Sequence, residues 1–195
     1  MIINESAFVH IPRTGGRIVC SNLMQNYSTT LYSWDEWVNF NKIPIEKNHQ
    51  PASFYLNVKN KFTIVRNPYQ RFLSIIKDMV INGLNIEKNN EIDSILKFIG
   101  EDKNRAHYRC WLIQQHKFLD KNTKIWFFED GLDNENFYTW MKDTVGLPIK
   151  KRVKDINERF FHPLYPDYNF TLSERLKELV RHEYYQDFKA FNYAF

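Results

Sequence analysis

The chain has 195 residues, of which 43% are hydrophobic and 16% aromatic, a composition typical of a globular protein and not of a disordered one. Its formal net charge of +4 is compatible with an anionic ligand but does not call for nucleic acid. The two cysteines and six histidines show neither a disulfide framework nor metal-ligand spacing, so no metal site is expected. No signal peptide and no run of 18 apolar residues is found, so we expect a cytoplasmic protein without a membrane segment, folded as one domain over residues 1–195.

A strand, a glycine turn and a helix are predicted for residues 7–27. Residues 7–10 form a short apolar run typical of a buried strand, which Ile11-Pro12 ends. The pair Gly15-Gly16 makes the turn. Apolar residues then recur at helical spacing, at Cys20, Leu23, Met24 and Tyr27.

This turn has the features of an anion-binding site. Glycines let backbone N–H groups turn towards one point, the helix dipole favours negative charge there, and Arg13 and Arg17 add two cations. A nucleoside-triphosphate loop needs Gly-Lys followed by Ser or Thr, whose hydroxyl holds magnesium, but here Gly16 is followed by Arg17 and Ile18. The missing hydroxyl favours a group transferred without a metal, such as sulfuryl. The alternative is an ordinary tight turn between strand and helix.

The segment after this helix contains one candidate base. Residues 29–34 are predicted to form a second strand, and residues 33–40 a short helix or a lid. His49 follows in a polar loop before Pro51. Its ordinary pKa lies near physiological pH, which suits removal of a proton from a hydroxyl. The alternative is a solvated loop histidine.

A further strand and helix, after His49, carry another group of polar residues. Residues 62–65 are a continuous apolar run that predicts a central parallel strand, and Asn67-Pro68 is a favourable helix start. Arg66 stands at the strand tip, and Arg71 and Ser74 lie one helical turn apart. Guanidinium, hydroxyl and helix N-terminus are therefore predicted to surround one phosphate. The alternative is a capped helix with a solvated face.

The rest of the chain alternates between helix patterns and one strand. A third strong strand is predicted over residues 124–128, followed by Glu129. The basic run 150–154 is expected to be a solvated segment or to fold over phosphates. The helical patterns cover residues 92–99, 108–119 with a break near Gln114-Gln115, 137–145, and the segment opened by a capping box at 171–174.

Two of these segments resemble motifs of one enzyme family. Residues 8–16, F-V-H-I-P-R-T-G-G, resemble the 5′-phosphosulfate loop of sulfotransferases that use 3′-phosphoadenosine 5′-phosphosulfate (PAPS), closest to the carbohydrate enzymes of the heparan 2-O and 6-O type. The usual form there is F-x-H-I-P-K-T-G-G-T-S, so Arg13 stands in place of the catalytic lysine and Arg17-Ile18 in place of Thr-Ser. Residues 66–74 resemble the R-N-P-x-x-R-x-x-S element that binds the 3′-phosphate.

The resemblance implies a reaction and a set of site residues. A sulfuryl group would pass from PAPS to a hydroxyl of a glycan or small-molecule acceptor, leaving adenosine 3′,5′-bisphosphate (PAP), with no metal. Arg13 would stabilise the leaving phosphate oxygen, and His49, the histidine between the two motifs, would be the general base. Arg71 would brace the loop. The implied donor-binding residues are Arg13, Thr14, Gly15, Gly16, Arg17, Ile18, Arg66 and Ser74.

We expect an α/β fold, a three-layer domain like that of P-loop nucleoside triphosphatases, with a short central parallel sheet flanked by helices. Two other functional classes stay open. One is an ATP-dependent phosphoryl-transfer enzyme, against which the missing Lys-Ser/Thr pair argues. The other is a degenerate, non-catalytic nucleotide-binding module, which Arg13 and Arg17 make conceivable. Nucleic-acid binding is not expected, because the basic run lacks interleaved aromatic residues.

Overall fold

The computed structural model describes residues 1–27, 49–87, 90–150 and 170–195, with the side chains of Lys103, Ala106 and His107 excepted. These residues form a mixed α/β structure with a four-stranded sheet and flanking helices. The chain divides into two compact units, a first of Met1–Arg66 with Lys117–Asn157 and a second of Asn67–His116 with Glu158–Phe195. The single domain over residues 1–195 stays a prediction.

The sheet belongs to the first unit and has the strand order β1-β2-β3-β4. The first strand pairs antiparallel with the second, and the other pairs are parallel. The third strand is therefore central and parallel, as its unbroken apolar run predicted. The strands are β1 Ile2–Ile3, β2 Ser6–Phe8, β3 Asn60–Val65 and β4 Thr123–Phe127.

The boundaries of β2, β3 and β4 differ by one or two residues from the sequence-based prediction, and β3 begins at Asn60 and not at residue 62. Strand β2 ends at Phe8 and not at residue 10, although the Val9 N–H still donates to the Phe62 carbonyl at 2.8 Å. Strand β4 ends at Phe127, because a 3-10 turn begins at Phe128. Strand β1 was not predicted, since two residues are too few to show a periodicity.

Seven α-helices lie within the described ranges. Short 3-10 helices cover Ala52–Tyr55, Gln115–Phe118 and Phe128–Asp130, and a π-helical turn covers Met141–Val145. The α-helices are α1 Gly16–Asn26, α2 Pro68–Ile81, α3 Glu91–Gly100, α4 Asp102–Arg109, α5 Glu135–Trp140, α6 Glu174–Glu183 and α7 Tyr185–Ala190. The predicted elements at 29–34 and 33–40, and most of the basic run 150–154, lie outside the described residues.

In the first unit, the hydrophobic core lies on the sheet. The buried apolar side chains come mainly from β2, β3, α1, α5 and the π-helical turn, whereas the residues of β4 are half-buried. A tilted aromatic contact between Phe8 and Phe62, whose ring centroids are 5.2 Å apart, joins neighbouring strands. Fully buried apolar members include Ala7, Phe8, Val19, Leu23, Phe62, Ile64, Phe137 and Met141.

In the second unit, α2 presents an apolar face to the interior, with Phe72, Ile75, Ile76 and Met79 buried. Buried Asp187 of α7 ties the 3-10 helix after α4 in place. Its carboxylate accepts from the Gln115 N–H at 2.8 Å and the His116 N–H at 2.9 Å. The helix predicted over residues 108–119 is not formed: α4 ends at Arg109, and only a 3-10 helix follows, at Gln115–Phe118.

The start of α6 corrects the predicted capping box. The helix begins at Glu174, and its N-cap is Ser173, whose hydroxyl accepts from the Leu176 N–H at 3.3 Å. Thr171 therefore lies outside the helix. Thr and Ser are both good N-caps, so local sequence alone does not choose between them.

Candidate functional site

The glycine turn joins β2 to α1 in the first unit. Arg13 has a φ of +67° and Gly15 a φ of +89°, while Thr14 between them does not have a positive φ. Left-handed residues that alternate with ordinary ones are typical of the backbone concavities, called nests, that bind anions. Gly15 is also the N-cap of α1, so the turn and the positive end of the helix dipole coincide.

Tight packing leaves no room for side chains at the two glycines. A Cβ at Gly15 would lie 2.8 Å from Phe128 Cε2 and 2.5 Å from Leu132 Cδ1, and a Cβ at Gly16 would collide with the His10 imidazole. The Thr14 hydroxyl is buried and donates to the Ile11 carbonyl at 2.9 Å, so this side chain shapes the loop from within. The sequence therefore uses glycine where the loop backbone meets other residues closely.

The predicted cations lie around this turn. Arg13 is half-buried and Arg17 is exposed, and the first turn of α1 has no acidic residue. The Ile18 N–H donates to the Gly15 carbonyl at 2.9 Å, so this amide closes the first helical turn. The local charge is therefore positive, which suits an anion.

Arg66 is brought to the turn from the end of β3. Its Nη1 donates to the Arg13 carbonyl at 3.3 Å, across 53 positions of sequence. Its guanidinium carbon lies 4.4 Å from the centroid of the Phe128 ring, within the range of a cation–π contact. The arginine predicted for a second phosphate thus contacts the loop predicted for the first.

His49 lies beside the same loop and is not a solvated residue, being only 7% exposed. Its Nδ1 is 2.9 Å from the His10 carbonyl oxygen. Because a carbonyl can only accept, Nδ1 carries the proton, and in the neutral ring Nε2 holds the lone pair. This tautomer can accept a proton at Nε2.

His10 is a residue of the site whose importance the sequence did not reveal. Its ring packs against Phe8 and lies 4.5 Å from the His49 ring, centroid to centroid. Burial lowers the pKa of His10 well below its usual value of 6.5, and the nearby charge of His49 lowers it further. His10 is therefore a neutral packing residue. Its place two residues after Phe8, on the same face of the extended chain, was the available signal.

Two residues of the second motif belong to the second unit. Ser74 is half-buried on α2. Arg71 is 1% exposed, and its Nη2 donates to the Trp111 carbonyl at 2.6 Å. Burial lowers the pKa of Arg71, and the charges of Tyr184 and Asp187 oppose this. Arg71 is thus bonded in the interior of its own unit, and its role in bracing the donor-binding loop stays a prediction.

The turn, its cations and the neighbouring histidine form a candidate anion site at the carboxyl ends of the parallel strands of an α/β protein. A comparison with known protein families shows the class of protein to which the chain belongs. A model described as the sulfotransferase family matches residues 4–194, and the chain belongs to this family. It is therefore a transferase, and its general reaction is sulfuryl transfer. No curated protein and no solved structure shows significant similarity to the chain.

The described part of the chain offers neither a membrane-spanning helix nor a metal site. None of the helices described is long and apolar enough to cross a membrane. Within the same residues, no group of three or more His, Cys, Asp and Glu side chains is placed to hold a metal ion.

Proposed function

We propose that this chain transfers a sulfuryl group from PAPS to a hydroxyl of a carbohydrate acceptor, by in-line displacement and without a metal. The observation that carries the proposal is the glycine nest at the N-terminus of α1, with Arg13 in the turn itself and the Arg66 guanidinium bonded to it. The fold is proposed to be the three-layer P-loop-like arrangement, with the parallel sheet in its centre. The partners are a glycan or small-molecule acceptor and no nucleic acid.

The residues present fit the donor. Its phosphosulfate is anionic, and the turn offers backbone N–H groups, a helix N-terminus and arginines, with no acid in the first turn of α1. The lysine and hydroxyl that serve a magnesium nucleotide are absent at positions 17 and 18. The proposed donor-binding residues are Arg13, Thr14, Gly15, Gly16, Arg17, Ile18, Arg66 and Ser74, the last two at the 3′-phosphate.

PAPS supplies the sulfuryl group. The acceptor oxygen forms a bond to sulfur while the bond between sulfur and the leaving phosphate oxygen breaks. Arg13 stabilises the negative charge that develops on this leaving oxygen, a contribution of the size that preorganised donors make, about 10²–10³ in rate. His49 Nε2 takes the acceptor proton, worth roughly 10²–10⁴.

The first experiment compares thermal unfolding with PAP, with ADP, and with ATP plus magnesium. A ligand at 100 times its dissociation constant adds about 2.7 kcal/mol of stability, which is easily seen as a rise in Tm. A rise with PAP and not with ADP supports recognition of the 3′-phosphate. A larger rise with magnesium-ATP would replace the proposal with the phosphoryl-transfer alternative.

The second experiment measures sulfuryl transfer from PAPS to a panel of glycans. Arg13→Ala and His49→Gln are expected to lose rate by the factors given above, and Arg13→Lys to retain most of it. His49→Gln should still bind PAP, because its role is in proton transfer. Matched controls are Arg105→Ala and His182→Ala, whose side chains are 64% and 85% exposed. Binding of PAP without transfer to any acceptor would favour the non-catalytic module.

A further inference from the structure

Phe128 contacts both halves of the candidate site. One face of its ring carries the Arg66 guanidinium, whose central carbon is 4.4 Å from the ring centroid. Its edge lies against the glycine turn, since a Cβ at Gly15 would be 2.8 Å from Cε2 and 2.9 Å from Cδ2 of the ring. A single side chain therefore touches the arginine of one motif and the loop of the other.

The sheet register explains this placement. Val65 of β3 is the parallel partner of Phe127 of β4, so Arg66 and Phe128 are the next residues at the same sheet edge. Each strand ends there, and the two side chains emerge beside each other. The contact follows from pairing between strands that are far apart in sequence.

A hydrogen bond also joins Arg66 directly to the glycine turn. Arg66 Nη1 donates to the Arg13 carbonyl, and Arg13 holds a left-handed φ of +67° that a non-glycine residue adopts at a cost. From Arg13 the chain continues through Thr14 to Gly15, and Gly15 lies against the Phe128 ring. Phe128, Arg66 and the turn therefore each contact the other two. A shift of Phe128 would remove a contact from both Arg66 and the turn.

We propose that Phe128 is a positioning residue, which holds the turn at Arg13–Gly16 in place for the 5′-phosphosulfate of the donor and the Arg66 guanidinium in place for its 3′-phosphate; this inference rests on the proposed function. An aromatic face is required and not only an apolar volume. A guanidinium is attracted to the face of a π-system, and an aliphatic side chain of similar size lacks that attraction.

The test compares Phe128→Leu with Phe128→Tyr and with Phe137→Leu. Phe137 is fully buried in the same unit, where its ring packs on Trp126 and Trp140, so it controls for loss of an aromatic ring. Titration calorimetry with PAP should show affinity about 3- to 30-fold weaker for Phe128→Leu, the range that the loss of a cation–π contact allows. Phe128→Tyr should restore it to within about twofold, and Phe137→Leu should lower Tm without changing affinity.

A readout without ligand separates this inference from the proposed function. Trypsin cleaves after arginine, so the rate of cleavage after Arg13 reports how firmly the turn is held. Phe128→Leu should be cut there several-fold faster than Phe137→Leu, both well below their Tm. If Phe128→Leu does not fold, Phe128→Met takes its place.

The outcomes are distinct. If the wild-type chain does not bind PAP, the proposed function fails, and the cleavage rates alone decide the role of Phe128. If it does bind, equal dissociation constants for wild type and Phe128→Leu overturn the positioning role. Equal cleavage of Phe128→Leu and Phe137→Leu overturns it in either case.

Discussion

Two separate constraints act on Gly15, one from the backbone and one from packing. Its φ of +89° is in the region that side chains disfavour, and the space where a Cβ would lie is occupied by Phe128 and Leu132. Gly146 has a similar φ of +79°, but nothing lies within 4 Å of a Cβ built there. Substitutions at Gly15 and Gly146 therefore allow the cost of backbone strain to be measured separately from the cost of steric crowding.

Gly146→Ala is expected to lower the free energy of unfolding by about 1–2 kcal/mol, the cost of the left-handed conformation. Gly15→Ala should lose about 1–3 kcal/mol more, because of overpacking against the two neighbours. Urea unfolding of both variants and the wild type measures this. Equal losses would mean that the turn can move away from Phe128 and Leu132.

At His10, burial of a titratable ring predicts a pH dependence of stability. In the folded state its pKa lies well below 6.5, so the ring stays neutral there while the unfolded chain takes up a proton as the pH falls below about 6.5. Because the unfolded state then binds more protons, acid lowers the free energy of unfolding.

Between pH 7.5 and 5.5, this linkage should lower the free energy of unfolding of the wild type by at most about 1.4 kcal/mol, and His10→Gln should lack that part of the loss. Urea unfolding at the two pH values gives the difference between the two proteins, and contributions shared by both cancel. The same acid loss in His10→Gln would show that His10 is not the group responsible.

Among the helices, α2 has a start that local sequence specifies. The Asn67 side chain accepts from the Tyr69 N–H at 3.0 Å and the Gln70 N–H at 3.4 Å, and Pro68 occupies the first helical position. These contacts satisfy N–H groups that would otherwise have no acceptor within the helix. The R-N-P segment is thus a helix cap as well as part of a motif.

The two roles are expected to separate on substitution. Asn67→Ala should lose about 1 kcal/mol of stability with its cap. Asn67→Asp should keep the cap and the stability, but weaken PAP binding, since it places a negative charge at the helix end proposed for the 3′-phosphate. Urea unfolding and calorimetry measure the two effects. Unchanged affinity in Asn67→Asp would argue against a phosphate at this end of α2.

Element boundaries were predictable where several local signals agreed. The end of strand β3 at Val65 and the start of α2 at Pro68 match their predictions, because an apolar run, a cap residue and a proline agree over a few residues. The sheet predicted as parallel is parallel from β2 to β4, but β1 pairs antiparallel with β2. The start of α6 was misplaced by two residues, because Thr171 and Ser173 offer similar caps. Which one is used depends on how the helix packs, and that is not a local property.

For the molecule as a whole, the proposed chemistry predicts independence from divalent cations. The turn has arginines where a magnesium nucleotide site has Lys and Ser or Thr. The rate of sulfuryl transfer from PAPS should therefore stay within about twofold when EDTA is added, since charge at the leaving oxygen is stabilised by Arg13. A magnesium-dependent kinase assayed in parallel verifies chelation. A large loss in EDTA that added magnesium reverses would contradict the proposed mechanism.

The order of residues by itself determined the turn at Gly15-Gly16, the cap at Asn67 and the central strand β3, because each depends on interactions within a few positions. Only the tertiary structure decided that Arg66 reaches the Arg13 carbonyl, that Phe128 lies beneath Arg66 and against Gly15, and that His49 is buried beside His10. These contacts join residues that are far apart in the chain. They depend on strand register and on the packing of whole elements, and neither can be predicted from a local sequence pattern.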